Sequence, residues 1–261
     1  MSASAGASLF DLSGKTAIVT GGSRGIGRAI ARAFAERGDR VAVHWGSSKE
    51  RAEQVLAELP GSGHVLVQAD MADPEEVGAM VDRAADGLGR LDVLVNNAGV
   101  FTAHPPLTTS YEDWLAAWSR TLAVNLVGAA NATFRAVPHL VAAGGGAVVN
   151  VSSRGAFRGE PNNPAYGASK AGLNAFAQSM ALALAPQGIS VTCVAPGFVQ
   201  TEMAREVLDG PGGDAVRAQS PFGRVARPEE VASAVLWLAS PAARFSSGTV
   251  VDVNGASYLR S

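Results

Sequence analysis

The sequence predicts an α/β protein built on a parallel sheet with helices over both faces. Short β-branched runs alternate with longer stretches of helical spacing along the whole chain. The runs are continuously apolar rather than alternating, as expected of strands buried on both sides. With 261 residues, 47% of them hydrophobic, the chain can fill the large core such a sheet needs.

Strand-length runs fall at 16–20, 41–45, 64–69, 91–96, 147–151, 189–194 and 249–253. Between them, Ile26, Ile30, Ala33, Phe34 and Arg37 share one helical face that Gly38 ends. Further helices are expected at 49–59, 74–87, 111–140, 164–185 and 228–239, with a short one at 202–208. Residues 1–9 read as a disordered tail, since they lack both a basic residue and an apolar stretch, and 10–261 as a single domain. The stretches 144–146 and 209–213 read as a turn and a surface loop within it.

No charge occurs between Lys170 and Glu202, but Pro186, Gly188 and Pro196 interrupt that stretch, so no membrane span is expected. The 21 basic and 23 acidic side chains offer no field for a nucleic-acid backbone. Cys193 is the one cysteine, and the four histidines lack ligand spacing. A cytoplasmic, metal-free protein is the expectation.

The first strand runs into Thr20-Gly21-Gly22-Ser23-Arg24-Gly25-Ile26-Gly27 as a helix opens. A strand-to-helix turn that receives a pyrophosphate needs glycines for tight turning and close backbone approach, and the helix start supplies N–H groups. A plain tight turn is the alternative. The second strand, ending Trp45-Gly46-Ser47-Ser48, lacks the acid that binds a ribose 2′-hydroxyl. Arg24, Ser47 and Ser48 suit a 2′-phosphate instead, which favours NADP over NAD, unless Arg24 is a solvated surface charge.

Tyr166 and Lys170 stand four apart on one helix face, in a chain with three tyrosines and three lysines. An ammonium beside a phenol lowers its pKa from about 10 and suits it to proton transfer. A helix-surface pair is the plainer reading. Ser152 and Ser153 end the fifth strand, where ligands of such sheets sit, either as capping residues or as donors to a substrate carbonyl.

These residues, in this order, closely resemble the short-chain dehydrogenase/reductase family, in particular its branch of 3-oxoacyl-carrier-protein reductases. The resemblance covers nearly the whole chain after Leu9. Its markers are the glycine turn, Asp70, Asn96-Asn97-Ala98-Gly99, Asn125 in Val124-Asn125-Leu126, Ser153, Tyr166-x-x-x-Lys170, and Pro196-Gly197 with Thr201. It implies a Rossmann-type doubly wound sheet of about seven strands in the order 3-2-1-4-5-6-7. It further implies that Tyr166 is the general acid/base, that Lys170 lowers its pKa and holds the nicotinamide ribose, and that Ser153 orients the carbonyl. Asn125 would support a water path for protons. The cofactor would be bound by Gly21, Ser23, Arg24, Gly25, Ile26 and Gly27, by Trp45, Ser47 and Ser48, and by Asp70 with Met71 at the adenine. Asn97, Ala98 and Gly99, then Tyr166 and Lys170, then Pro196, Gly197, Val199 and Thr201 complete that set.

The expected reaction is NADP-dependent hydride transfer to or from a ketone or secondary alcohol. An NAD-dependent alcohol, sugar or steroid dehydrogenase, or a non-catalytic dinucleotide-binding sensor, is the alternative. The segment 101–120 and the turn Asn254-Gly255-Ala256 depart from the family's pattern and argue against an acyl-carrier substrate. Phe101, Arg154, Phe157, Phe198 and Met203 are expected at the pocket, with Arg154 either an anion partner or a surface charge. Residues 201–224 read as a lid, with Gly210-Pro211-Gly212-Gly213 giving it many backbone conformations. The helix 164–185, uncharged after Lys170, exposes more apolar surface than one sheet face needs, so a homotetramer or homodimer is expected.

Overall fold

In the computed structural model, which describes residues 10–260, seven strands form one parallel sheet. They are β1 (Thr16–Val19), β2 (Arg40–Trp45), β3 (Val65–Gln68), β4 (Val93–Asn96), β5 (Gly146–Val151), β6 (Ile189–Pro196) and β7 (Val250–Val253). Their order is β3-β2-β1-β4-β5-β6-β7. The tail expected at residues 1–9 lies outside the described residues.

Alternate strand positions feed two cores. Ala17, Val19, Val41, Val43, Val95 and Val149 pack with Ile30 and Phe34 of α1 (Gly25–Ala35), Val55 of α2 (Lys49–Glu58) and Val235 of α10 (Pro228–Ala239). Ile18, Ala42, Leu94, Val148 and Val191 face Met80 and Leu88 of α3 (Pro74–Leu88), Leu140 of α5 (Gly128–Ala142) and Ala177 and Ala181 of α7 (Pro164–Leu184). Burial on both faces is why the strands show no polar alternation. Asp73 caps α3, accepting from Glu75 N and Glu76 N, a contribution of about 1 kcal/mol.

Three elements differ from the sequence reading. The helix expected over 111–140 is α4 (Tyr111–Leu122), a π-helical turn (Ala123–Val127) and α5. Gly128 follows that turn because a Cβ there would stand 2.3 Å from the Met71 carbonyl oxygen. A short α6 (Gly155–Arg158) follows β5, and α8 (Glu202–Asp209) is joined by α9 (Gly213–Ala218). Gly213, expected in a loop, is buried in α9, where a Cβ would come within 2.0 Å of Leu208 O. Among the described residues no helix is long and apolar enough to cross a membrane.

The sheet order reverses between β1 and β4, which opens a crevice beyond the carboxyl ends of the strands.

Candidate active site

The crevice holds a cavity of about 590 Å³. Every site residue expected from the sequence lines it except Trp45, Asn125 and Phe157, whose ring instead packs under the Arg260 guanidinium at 4.4 Å. Trp45 ends β2 half-buried to one side, and Asn125 lies buried behind the wall.

At the β1–α1 turn, Gly21 and Gly25 take left-handed backbones, φ 63° and 52°, which a side chain would strain. A Cβ on Gly27 would stand 2.2 Å from Gly21 O and 2.5 Å from Asn97 Nδ2. The turn is stapled to the end of β4: Thr20 Oγ1 accepts from Asn97 N at 2.9 Å and Ala98 N at 3.0 Å, and Asn97 Nδ2 donates to Thr20 O at 2.8 Å. From the other side the buried His44 of β2 accepts from Gly21 N through Nδ1 at 2.9 Å and donates from Nε2 to Ala69 O at 3.0 Å. Burial lowers the pKa of its ring, which is therefore neutral at pH 7. The first turn of α1 contains no acidic side chain, and its N-cap Arg24 makes no capping bond, so its N–H groups are available to an anion.

Toward β2 and β3, Arg24 is exposed and forms no ion pair with any described residue, while Ser48 starts α2 without a capping bond. Arg51 lines the cavity and pairs with Glu202 of α8, Nη1 to Oε2 at 2.7 Å, across its mouth. Asp70 accepts from Arg120 Nη1 at 2.8 Å and from Ala72 N at 2.9 Å. The Arg120 hydrogen bond leads the causes that hold its carboxyl below the usual range.

At the other end, Tyr166 and Lys170 of α7 face Ser153 after β5. Burial raises the Tyr166 pKa, and a hydrogen bond from Ser153 opposes the rise. The lowering expected from Lys170 is not seen: the ammonium stands 5.8 Å from the phenol ring centroid and donates to Val151 O at 2.7 Å. Burial pushes Lys170 down to about 8, and the carbonyl at the end of β5 is the acceptor it finds. Asn125 accepts from Val100 N at 2.8 Å and donates to Val100 O at 3.0 Å, which fixes the chain after Gly99. A methyl on Gly99 would meet Asn125 Oδ1 at 3.3 Å and Lys170 Nζ at 3.7 Å, so this close approach depends on glycine.

The first turn of α7 is held by the segment 101–120. His104 is buried, donates from Nδ1 to Thr102 O at 2.8 Å and accepts from Ala165 N at 3.1 Å. Its ring packs edge-on to Trp114, with centroids 5.5 Å apart. Phe101 stands perpendicular to Tyr166 at 4.8 Å.

A family model described as enoyl-(acyl carrier protein) reductase matches residues 21–256. The cis-4-hydroxycyclohexanecarboxylate dehydrogenase of Sinomonas cyclohexanicum is 42% identical over 243 residues, covering 92% of this chain and 95% of that one. The chain belongs to the short-chain dehydrogenase/reductase family. This family member is also 37% identical to the 3-oxoacyl-(acyl-carrier-protein) reductase of Staphylococcus aureus, over 94% of its own length and 98% of the relative's. A short chain dehydrogenase from Burkholderia cenocepacia, solved in complex with NADP, superposes with a TM-score of 0.85 at 38% identity, covering 95% and 99% of the two chains.

Among the residues of this short-chain dehydrogenase/reductase that line the cavity without having been expected at the site are His44, Arg51, Arg120 and Glu160. His44 alone had a local signal, a polar residue in an otherwise apolar strand interior. Arg154 is not a surface charge: it is 5% exposed and lines the cavity beside Ser153.

Proposed function

We propose that the protein is an NADP-dependent oxidoreductase that transfers hydride between the nicotinamide and the carbon of a ketone or secondary alcohol, with Tyr166 as general acid/base. The reading rests on one juxtaposition: Ser153, Tyr166 and Lys170 stand at the same crevice as a glycine cradle.

The donor set suits the cofactor. The N–H groups at the start of α1 and the backbones of Gly21 to Gly27 would hold the pyrophosphate. Arg24, Ser47 and Ser48 would take the 2′-phosphate, with no acid of β2 to repel it. The bound nicotinamide supplies hydride in reduction and accepts it in oxidation. During reduction Tyr166 Oη gives its proton to the carbonyl oxygen, and in oxidation the phenolate takes it back from the alcohol. Burial, which favours the neutral phenol, suits Tyr166 to the acid role. Ser153 donates to the same oxygen and orients it, and Asn125 keeps the wall behind Gly99 in place. Lys170, cationic below about pH 8, turns from Val151 O toward the cofactor ribose.

Residues 201–224 close over this end as a lid of two helices. Thr201, Glu202, Met203, Ala204 and Val207 line the cavity, and α9 is tied to α8 by Arg217 Nη2 donating to Leu208 O at 2.9 Å. The chain assembles as a homotetramer or homodimer through α5 and α7, on which Phe134 and Leu182 are 74% and 82% exposed. Light scattering that found only a 26.6 kDa species would count against this.

Turnover of β-keto esters, cyclic ketones, quinones and sugar lactones, followed by loss of NADPH absorbance, tests the reaction. NADPH is expected to exceed NADH by at least about tenfold in kcat/KM, and Arg24→Ala to lower only the NADPH value. No turnover across the panel would leave a dinucleotide-binding sensor as the better reading.

A further inference from the structure

Arg154 carries a charge that meets no carboxylate of the described residues in a direct ion pair, although the charge of Glu160 acts on it from farther off. It is 5% exposed, and burial holds its pKa down. A buried guanidinium needs an anion or a full set of acceptors for its five N–H groups. Among the described residues its side chain makes one hydrogen bond, from Nη1 to Ser257 Oγ at 2.8 Å, and no carboxylate lies within ion-pair distance. Its Cζ sits 5.1 Å from the Phe198 ring centroid, a contact that orients the fork without neutralising it. Glu160 lines the same cavity, yet it forms no ion pair with Arg154. The backbone is fixed as well, since Arg154 N donates to Pro196 O at 2.8 Å directly after Ser153.

We infer that Arg154 is the site of a substrate carboxylate, so that the preferred substrates are oxo or hydroxy acids whose acid group pairs with this guanidinium while the reacting carbon lies at Ser153 and Tyr166. The planar fork matches a carboxylate with two parallel hydrogen bonds. Phe101, Phe198 and Met203, which line the same cavity, suit an apolar skeleton between the two polar ends. A cofactor phosphate is the other anion that could reach Arg154. The glycine turn and Arg24 already provide for phosphates at the opposite end of the crevice. The assignment takes its reacting centre from the function proposed above, but it can be tested without turnover.

The test is calorimetric titration of the protein saturated with NADP, using cyclohexanecarboxylate and the uncharged cyclohexanecarboxamide at pH 7. The acid should bind at least about tenfold more tightly than the amide. Arg154→Met should abolish that preference while NADP affinity stays within about twofold, and Glu160→Gln, which keeps the guanidinium, should preserve or increase it. If Arg154→Met does not fold, Arg154→Lys should weaken the preference by removing the fork, and Glu160→Gln remains informative. Equal binding of acid and amide overturns the assignment, as does binding of neither at about 10 mM, or a preference that survives in Arg154→Met. Loss of NADP affinity in Arg154→Met with an unchanged acid-to-amide ratio would assign the guanidinium to a cofactor phosphate. Strong acid binding by a protein that turns over no ketone would instead defeat the reaction proposed above and leave the carboxylate site standing.

Discussion

Replacing His44 with leucine tests how the glycine turn is held in place. Gly21 N–H can only donate and Ala69 O can only accept, so Nδ1 is bare and Nε2 carries the proton. A second ring proton would point at a donor inside the protein, and burial lowers the pKa from its ordinary 6.5. Above pH 6.5 the ring is neutral in both folded and unfolded chains, and its contribution is complete. As the pH falls below that value the unfolded chain takes up a proton that the folded one refuses. Stability then declines by about 1.4 kcal/mol per pH unit until the folded pKa is passed. Leucine keeps roughly the volume and loses both hydrogen bonds. Gly21 is half-buried at the cavity, where water can take up its N–H, while the fully buried Ala69 is left with an unmet carbonyl, so the cost at pH 8 should be about 1–3 kcal/mol in all rather than that amount for each group. Urea unfolding of both proteins at about pH 8 and about pH 5.5 measures the difference, which should shrink at the lower pH. Asp39, held up to about 6 by burial, titrates in the same window but is common to both proteins and cancels. Equal stability at pH 8, or parallel pH profiles below 6.5, would refute this account of the turn.

Gly27→Ala should destabilise by about 2–3 kcal/mol in urea and weaken NADP, because the backbone and amide atoms 2.2 and 2.5 Å from the new methyl outweigh any gain in helix propensity. Ala256 holds φ 58°, a non-glycine residue in the left-handed region, so Ala256→Gly should stabilise by about 1 kcal/mol and raise Tm by a few degrees in a calorimetric scan. Tyr166→Phe should lower kcat by about 10² or more with NADP affinity within a few-fold, whereas Lys170→Ala should also weaken NADP; retained turnover in Tyr166→Phe sinks the acid/base assignment. Outside the termini, amides in 201–224 should exchange fastest in the free protein and gain protection in the complex with NADP and a substrate analogue, and slow exchange without ligand or an unchanged pattern removes the lid.

What the sequence makes legible here is local. The apolar runs, the helical faces, the glycine turn and the four-residue spacing of Tyr166 and Lys170 each lie within one element or its flank, where steric and periodic rules act directly. The contacts that went unread act over distance. His44 meets a backbone amide 23 positions away, Asn125 grips Val100 from 25 away, and Arg154 finds Ser257 across 103. That Lys170 donates to Val151 O has the same origin: which oxygen lies nearest a buried ammonium depends on where β5 ends against α7. Gly213 looked like a loop residue because its composition is that of a loop, and only contact with Leu208 O makes it part of a helix pair.

The π-helical turn over Ala123–Val127 sets a rotational phase along the chain. One residue more than an α-helical turn is spent there, and each helical residue turns about 100°. Deleting a residue from this turn would leave a sounder helix in isolation, yet everything before it would swing by about that angle relative to α5. Arg120 would leave Asp70, and the half-buried Trp118, whose indole nitrogen is enclosed, would be displaced. Length variation at this point is therefore closed to the protein, because a residue gained or lost there reorients a helix of the crevice wall.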